Sequence, residues 1–107
     1  MKLAQSRYTP VLFAFPPEEG REEGWGRFER LHPRGGRLLT RFRLEPADRV
    51  FLSFAAAGER FEAVAAKVER SEIDEDGYRV ADVRLADETA AHRLGAALRG
   101  LVARGAR

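Results

Sequence analysis

The residues most capable of chemistry lie in the stretch 27–43, where arginine recurs through two apolar runs joined by a turn. Its six arginines, against one glutamate, are Arg27, Arg30, Arg34, Arg37, Arg41 and Arg43. A guanidinium group is a planar fork of N–H donors that matches the oxygens of phosphates and carboxylates. An anion-binding site is therefore one interpretation of the stretch. The residue pattern alone favours a solvated strand face whose arginine stems cover apolar surface.

The turn at residues 32–36 is the centre of this predicted site. It contains Pro33, which fixes its own φ, and the pair Gly35 and Gly36, which tolerate a close approach of ligand or backbone. Exposed backbone N–H groups in such a turn add donors to the neighbouring guanidinium groups. Arg30, Arg34 and Arg37 are therefore the arginines expected to contact an anion.

Residue types typical of enzymes are sparse. The two histidines, His32 and His92, are isolated in the sequence, and there is no cysteine to act as a nucleophile or a thiolate ligand. No phosphate loop, His-Glu-x-x-His or Gly-x-Ser-x-Gly motif occurs. The carboxylates lie mostly in turns, as in the loop 18–23, without the spacing of a calcium loop. We expect no enzyme activity, no metal and no cofactor.

Length and composition indicate one globular domain. The chain has 107 residues, of which 44% are hydrophobic and 34% charged, and its net charge is +2. Neither a membrane-spanning apolar run nor an N-terminal signal segment is present, so the expected location is the cytoplasm, away from membranes.

Alternating apolar and polar residues predict six strands followed by a helix. The predicted strands are 9–15, 25–32, 37–44, 50–54, 59–71 and 78–85, and the helix is 87–104. The run 59–71 also has helical spacing, but the turn signal at 74–77 and the strand after it favour a hairpin, with a bulge near Phe61. Asp87 is the expected N-cap of the helix.

Six antiparallel strands and one helix predict a mainly β fold, a small closed or nearly closed barrel that leaves no open edges. We expect an arm (1–8), a barrel (9–85) and a helix (87–104) that covers one mouth or side of the barrel. The apolar stripe of that helix is Ala91, Leu94, Leu98, Leu101 and Val102. Trp25 is expected in the core or as a plug at a barrel end, with a base-stacking platform as the alternative.

The order of these elements resembles the PilZ family, whose domains are six-stranded antiparallel barrels with a trailing helix. The resemblance runs from about Pro10 to Leu101 and is clearest in the segments 48–54, 58–68 and 76–80 and in the final helix. It implies a non-enzymatic signalling or adaptor domain. It also implies cyclic diguanylate (cyclic di-GMP) as the ligand class and a protein partner in the regulation of motility, pili or polysaccharide.

PilZ domains bind this nucleotide through Arg-x-x-x-Arg in the arm and Asp/Asn-x-Ser-x-x-Gly on a strand turn. The first motif would place arginines at Arg7 and Val11, and only Arg7 matches. The second falls on residues 30–35, where Gly35 matches while Arg30 replaces the acid or amide and His32 the serine. Arginine only donates hydrogen bonds, so it cannot accept them from a guanine edge.

The resemblance therefore predicts a degraded nucleotide site. Each lost contact would cost on the order of 1–3 kcal/mol, so two losses would carry a micromolar site out of its useful range. The candidate nucleotide-binding residues are Arg7, Arg30, His32, Arg34, Gly35, Gly36 and Arg37.

Two further hypotheses remain open at this point. One is a small β-barrel that binds nucleic acid through the basic hairpin 27–43 and its aromatic neighbours. The other is an oligomer subunit or scaffold that uses the stripe of the helix as its contact.

Overall fold

A computed structural model describes residues 9–105 and the side chains of residues 9–100. These residues form a closed six-stranded antiparallel barrel followed by one helix. The strands are β1 (Thr9–Ala14), β2 (Gly24–His32), β3 (Gly35–Thr40), β4 (Arg49–Ala56), β5 (Glu59–Ile73) and β6 (Arg79–Leu85). The helix α1 is Glu88–Gly105, and a short 3-10 helix, Pro17–Glu19, lies between β1 and β2. The predicted fold class is confirmed.

The barrel consists of two three-stranded meanders joined along both edges. The strand order is β1-β2-β3-β6-β5-β4, and β4 pairs again with β1. Pairings between β1 and β4 and between β3 and β6 close the sheet. Every strand therefore has a neighbour on both sides, which removes the unpaired edges of an open sheet.

Inward side chains of the strands form the core, and the two ends of the barrel are covered differently. Phe13, Phe28, Leu52 and Phe61 are fully buried at its centre. The connection 41–48 packs Leu44 against the core where β1 ends and β2 begins. At the other end Ala90, Ala91 and Leu94 of α1 are buried against the barrel. Among the described residues, no helix combines the length and the apolar character that crossing a membrane would need.

The segment 59–71 is a strand, as the hairpin pattern predicts. The expected bulge near Phe61 is present: Leu52 pairs with Val64 and Phe54 with Phe61, which leaves one extra residue on β5. Ala63 lies in this bulge with a φ of 49° and donates its N–H to the Ser53 hydroxyl at 3.0 Å. The bulge bends β5 and lets a single strand of this length pair with both β4 and β6.

The helix begins where the sequence predicts. The Asp87 carboxylate accepts a hydrogen bond from the Ala90 N–H at 3.1 Å, which is the geometry of an N-cap. Of the predicted stripe, Ala91 and Leu94 are buried against the barrel and Leu98 packs partly on the core. The side chains of the other two stripe residues lie outside the described part of the chain. The described part of the stripe therefore packs within the domain, which weighs against its use as an oligomer contact.

Two predicted boundaries are wrong around the basic hairpin. The third strand ends at Thr40 and not at Leu44, because the chain bends away at residues 41–42 and carries Phe42 toward the barrel end. The turn between β2 and β3 is only Pro33 and Arg34, since the following glycines already belong to β3. Periodicity continued past the true strand end because Leu44 is also buried, though in a loop.

The prediction that Trp25 is core or a barrel-end plug is also wrong. Trp25 is 62% exposed on the outer face of β2. The inward positions on either side of it are the buried Gly24 and the half-buried Gly26. A Cβ at Gly26 would collide with the Leu39 carbonyl oxygen, so the close approach of β2 and β3 leaves no room there for a side chain.

Gly35 is the glycine on which closure between β3 and β6 depends most directly. Its φ is +152°, and a Cβ there would overlap the Val83 carbonyl oxygen of β6. Gly58, in the turn between β4 and β5, also has a positive φ (+82°), but no atom lies within 4 Å of its Cβ position. Substitution of Gly58 would therefore introduce backbone strain alone, whereas substitution of Gly35 would introduce both strain and steric overlap.

We expect Gly35→Ala to lower the free energy of unfolding by at least about 2 kcal/mol, because backbone strain and overpacking add. Gly58→Ala is the matched control and should cost about 1 kcal/mol, since only strain applies there. Urea denaturation of both variants measures the difference. Equal losses would show that the Val83 carbonyl does not limit the space at Gly35.

Candidate functional site

The predicted anion-binding residues lie around one shallow groove on the outside of the barrel. The groove has a volume of about 290 Å³ and lies over β2, β3 and β6 beside the β2–β3 turn. Its charged and polar lining consists of Arg30, His32, Arg34, Arg37, Arg84, Asp82 and Glu69. Four of the seven candidate residues therefore contribute side chains to a common surface.

Strand register explains why these side chains converge. Arg30 of β2 pairs with Arg37 of β3, which pairs in turn with Asp82 of β6. In the next outward row His32 pairs with Gly35, and Gly35 with Arg84. Directly opposed residues have Cβ atoms about 5 Å apart, so Arg30, Arg37 and Asp82 are close neighbours. His32 and Arg84 flank Gly35 from the two neighbouring strands, at about twice the strand spacing of about 4.8 Å.

Two of the four arginines in the groove already have carboxylate partners. Arg37 donates from Nε to Asp82 Oδ1 at 3.1 Å. Arg34 Nη1 contacts both oxygens of Glu88, in the first turn of α1, at 3.0 Å. Among the described residues, Arg30 and Arg84 have no ion-pair partner. An anion could therefore contact Arg30 and Arg84 directly, whereas contact with Arg34 or Arg37 would require the displacement of a carboxylate.

The carboxylates in the lining oppose anion binding directly. Glu69 and Asp82 border the same groove as the arginines, so an incoming phosphate meets negative as well as positive charge. No cluster of three or more histidine, aspartate or glutamate side chains is placed to hold a metal ion in the described part of the chain. The arrangement suits weak, exchangeable contacts to an anionic group.

Both glycines of the predicted site are required by the packing of the barrel. Gly35 and Gly36 are buried, and the space at their Cβ positions is taken by carbonyl oxygens of Val83 and Arg30. The backbone of Gly36 borders the groove, so a close approach of a ligand there stays a prediction. The contact with the Val83 carbonyl is enough to explain a glycine at position 35, whether or not a nucleotide binds there.

The Arg-x-x-x-Arg positions cannot both face a ligand. Arg7 lies outside the described residues. Val11, at the second arginine position, is 2% exposed and points into the barrel, paired with Gly26 of β2 and Phe54 of β4. An arginine at this position would carry its charge into the core, so the barrel requires an apolar residue there.

Helix α1 is tied to the turn that borders the groove. A Cβ at Gly95 would lie 3.3 Å from the Pro33 ring, so the absence of a side chain lets the turn rest on the helix. Together with the Arg34–Glu88 ion pair, this contact links the two elements at two points. His92 is exposed and borders a small cavity at the same junction, as its predicted surface position suggests.

Sequence reasoning missed the contributions of β5 and β6 to the groove. Arg84, Asp82 and Glu69 are far from the hairpin in sequence and reach it only through the β3–β6 closure. The sequence pattern that could have identified two of them is the placement of Asp82 and Arg84 two residues apart, which puts both on the outward face of the strand that closes the barrel. The sequence does not show that β6 pairs with β3, so it does not place these residues beside the hairpin.

No family model, curated protein or solved structure matches this chain. The resemblance to PilZ domains is therefore carried by the sequence pattern alone, and it stays an expectation.

We expect Asp82→Asn to strengthen binding of inorganic pyrophosphate about two- to fivefold at low ionic strength, since a partly exposed carboxylate is removed and Arg37 is released. Isothermal titration calorimetry measures the change. Asp76→Asn is the matched control, because it alters net charge equally in the exposed β5–β6 turn. An equal gain in both variants would mean that net charge, and not the groove, governs binding.

Proposed function

We propose that this protein is a non-enzymatic, PilZ-like signalling or adaptor domain whose nucleotide site is degraded. The observation that carries the proposal is the basic groove beside the β2–β3 turn, at the place where the family pattern puts its ligand turn. The closed six-stranded barrel with a C-terminal helix supports it, since that is the architecture the resemblance implies.

The composition of the groove supports weak or lost nucleotide binding. Arg30 offers donors where the family pattern has an acceptor, and Arg34 and Arg37 are engaged by carboxylates. The buried Val11 leaves the arm motif with one arginine at most. Cyclic diguanylate would thus lose both the acceptor for its guanine edge and one forked contact, while meeting two carboxylates.

The chemistry of the same side chains argues for binding and not catalysis. Guanidinium groups stay protonated at all physiological pH values and do not exchange protons with a substrate. Glu88 and Asp82 are held in ion pairs with Arg34 and Arg37. The groove is therefore suited to hold an anionic group of a ligand or partner protein, in keeping with an adaptor in motility, pilus or polysaccharide regulation.

We expect titration of the wild-type protein with cyclic diguanylate to give no saturable heat in the low micromolar range, because two contacts worth about 1–3 kcal/mol each are missing. The double variant Arg30→Asp, His32→Ser restores the family pattern in the turn. It should bind at least about tenfold more tightly than wild type, because one such contact returns.

Arg60→Asp is the control, since it makes the same charge reversal on β5, outside the groove lining. Saturable low-micromolar binding by wild type that is lost in an Arg30→Ala, Arg34→Ala variant would refute the degraded site. A restored variant that gains nothing over Arg60→Asp would refute the PilZ-like ligand turn.

A further inference from the structure

A second surface with the chemistry of a binding site surrounds Trp25, at the opposite end of β2 from the β2–β3 turn. The indole is exposed and packs edge-on against the Phe42 ring, with centroids 4.5 Å apart and planes inclined by 64°. Phe42 is anchored in turn against the buried Phe13 ring at 6.1 Å. The large aromatic surface exposed here is therefore supported from beneath by the core.

Hydrogen bonds at Thr40 hold this surface in place. The buried Thr40 hydroxyl donates to the Trp25 carbonyl oxygen at 2.6 Å and accepts from the Phe42 N–H at 3.1 Å. One side chain thus fixes the backbone of both aromatic residues and the bend that brings them together. A pre-organised surface loses little conformational entropy when a ligand binds, which favours affinity.

A stacked arginine and tyrosine complete the surface. The Arg41 guanidinium lies over the Tyr78 ring, 4.3 Å from its centroid. Both residues line a cavity of about 470 Å³ together with Trp25 and Phe42. The buried Leu39 also lines this cavity, although strict alternation would have exposed it to solvent. We call these five residues the aromatic platform.

Positive charge connects the aromatic platform with the basic groove. Arginines outnumber carboxylates on the outer face of β2, β3 and β6 and at the start of the 41–48 connection. The carboxylates there are those of Glu29 and Asp82. These arginines are Arg27, Arg30, Arg37, Arg41 and Arg84. From the β2–β3 turn to Trp25 the face is on the order of 20–25 Å long, at about 3.3 Å per residue.

We propose that this face binds single-stranded nucleic acid, with a base stacked on the aromatic platform and phosphates along the arginines toward the β2–β3 turn. Exposed aromatic rings accept any base face, and arginine adds both charge and a stacking plane. The aromatic platform lies apart from the β2–β3 turn, although the phosphate track shares Arg30, Arg37 and Arg84 with the groove. Base stacking on Trp25 does not depend on the proposed function, because it needs no cyclic diguanylate site.

The choice of nucleic acid over an apolar partner follows from the charges. Trp25 also borders an apolar cavity on the side of Leu12, which is 55% exposed. An apolar partner would bury Trp25 and Leu12 together and would leave the Arg41–Tyr78 stack unused. The acidic turn 74–76 lies beside Tyr78 and repels a polyanion there, so we place the phosphates along β2 and β3.

Trp25 is the only tryptophan in the chain, so intrinsic fluorescence reports on this site alone. We expect oligothymidylate or oligouridylate of about 15 nucleotides to quench it saturably at about 50 mM salt. A duplex of the same length and inorganic polyphosphate of equal charge should quench it far less, because neither presents unstacked bases.

Substitutions then test the aromatic platform, with binding followed by the anisotropy of a labelled oligothymidylate. Trp25→Ala should weaken binding by at least about tenfold and Trp25→Phe by much less, because a ring is retained. Arg41→Ala should reduce the slope of log K against log salt by about 0.7. Arg49→Ala, on β4, is the matched control for charge and should bind like wild type. Leu12→Ala removes apolar surface directly beside Trp25 and should lose much less affinity than Trp25→Ala.

The melting temperature of Trp25→Ala checks that the fold is kept after removal of this mostly exposed ring. If Trp25→Ala unfolds, the binding affinity of Trp25→Phe is used in its place. Absence of saturable quenching by single strands at low salt would overturn the proposal. Equal quenching by polyphosphate, or an equal loss of affinity in Leu12→Ala and Trp25→Ala, would overturn it as well. Equal quenching by polyphosphate would indicate binding by charge without base stacking. An equal loss of affinity in the two variants would indicate an apolar contact.

Discussion

Closure of the sheet between β3 and β6 is the pairing on which the rest of this structure depends. It joins two meanders that are separated in sequence, and it requires the Val83 carbonyl to occupy the space where Gly35 lacks a side chain. The same pairing places Asp82 beside Arg37 and Arg84 beside Gly35. One backbone contact therefore determines both the shape of the barrel and the charges that surround the groove.

Successive side chains of a strand point to opposite faces of the sheet, so the two faces of β2 and β3 have different roles. Inward residues of β2 and β3 form the core, and outward ones carry the arginines and the exposed indole. Where β3 ends, Thr40 replaces strand pairing with two side-chain hydrogen bonds and turns the chain. The polar groove and the aromatic platform thus lie at opposite ends of one face and are held by different means.

Sequence patterns were sufficient for the fold and for half of the groove. Alternation and turn chemistry predicted all six strands, the bulge near Phe61 and the Asp87 cap, because these depend on local geometry. Trp25 was misplaced because hydrophobicity alone does not distinguish a core ring from one resting on Phe42. Asp82, Arg84 and the pairing of Arg34 with Glu88 depend on strand order and helix placement, which local patterns do not specify.

The contact between Arg34 and Glu88 couples the groove to the helix. An anion that draws the Arg34 guanidinium into the groove takes it from the first turn of α1, so binding and helix docking compete for one cation. By reciprocity, a contact that strengthens the Arg34–Glu88 ion pair would weaken anion binding in the groove by the same factor. Loss of the ion pair would leave the contact between Pro33 and Gly95 to hold the turn against α1.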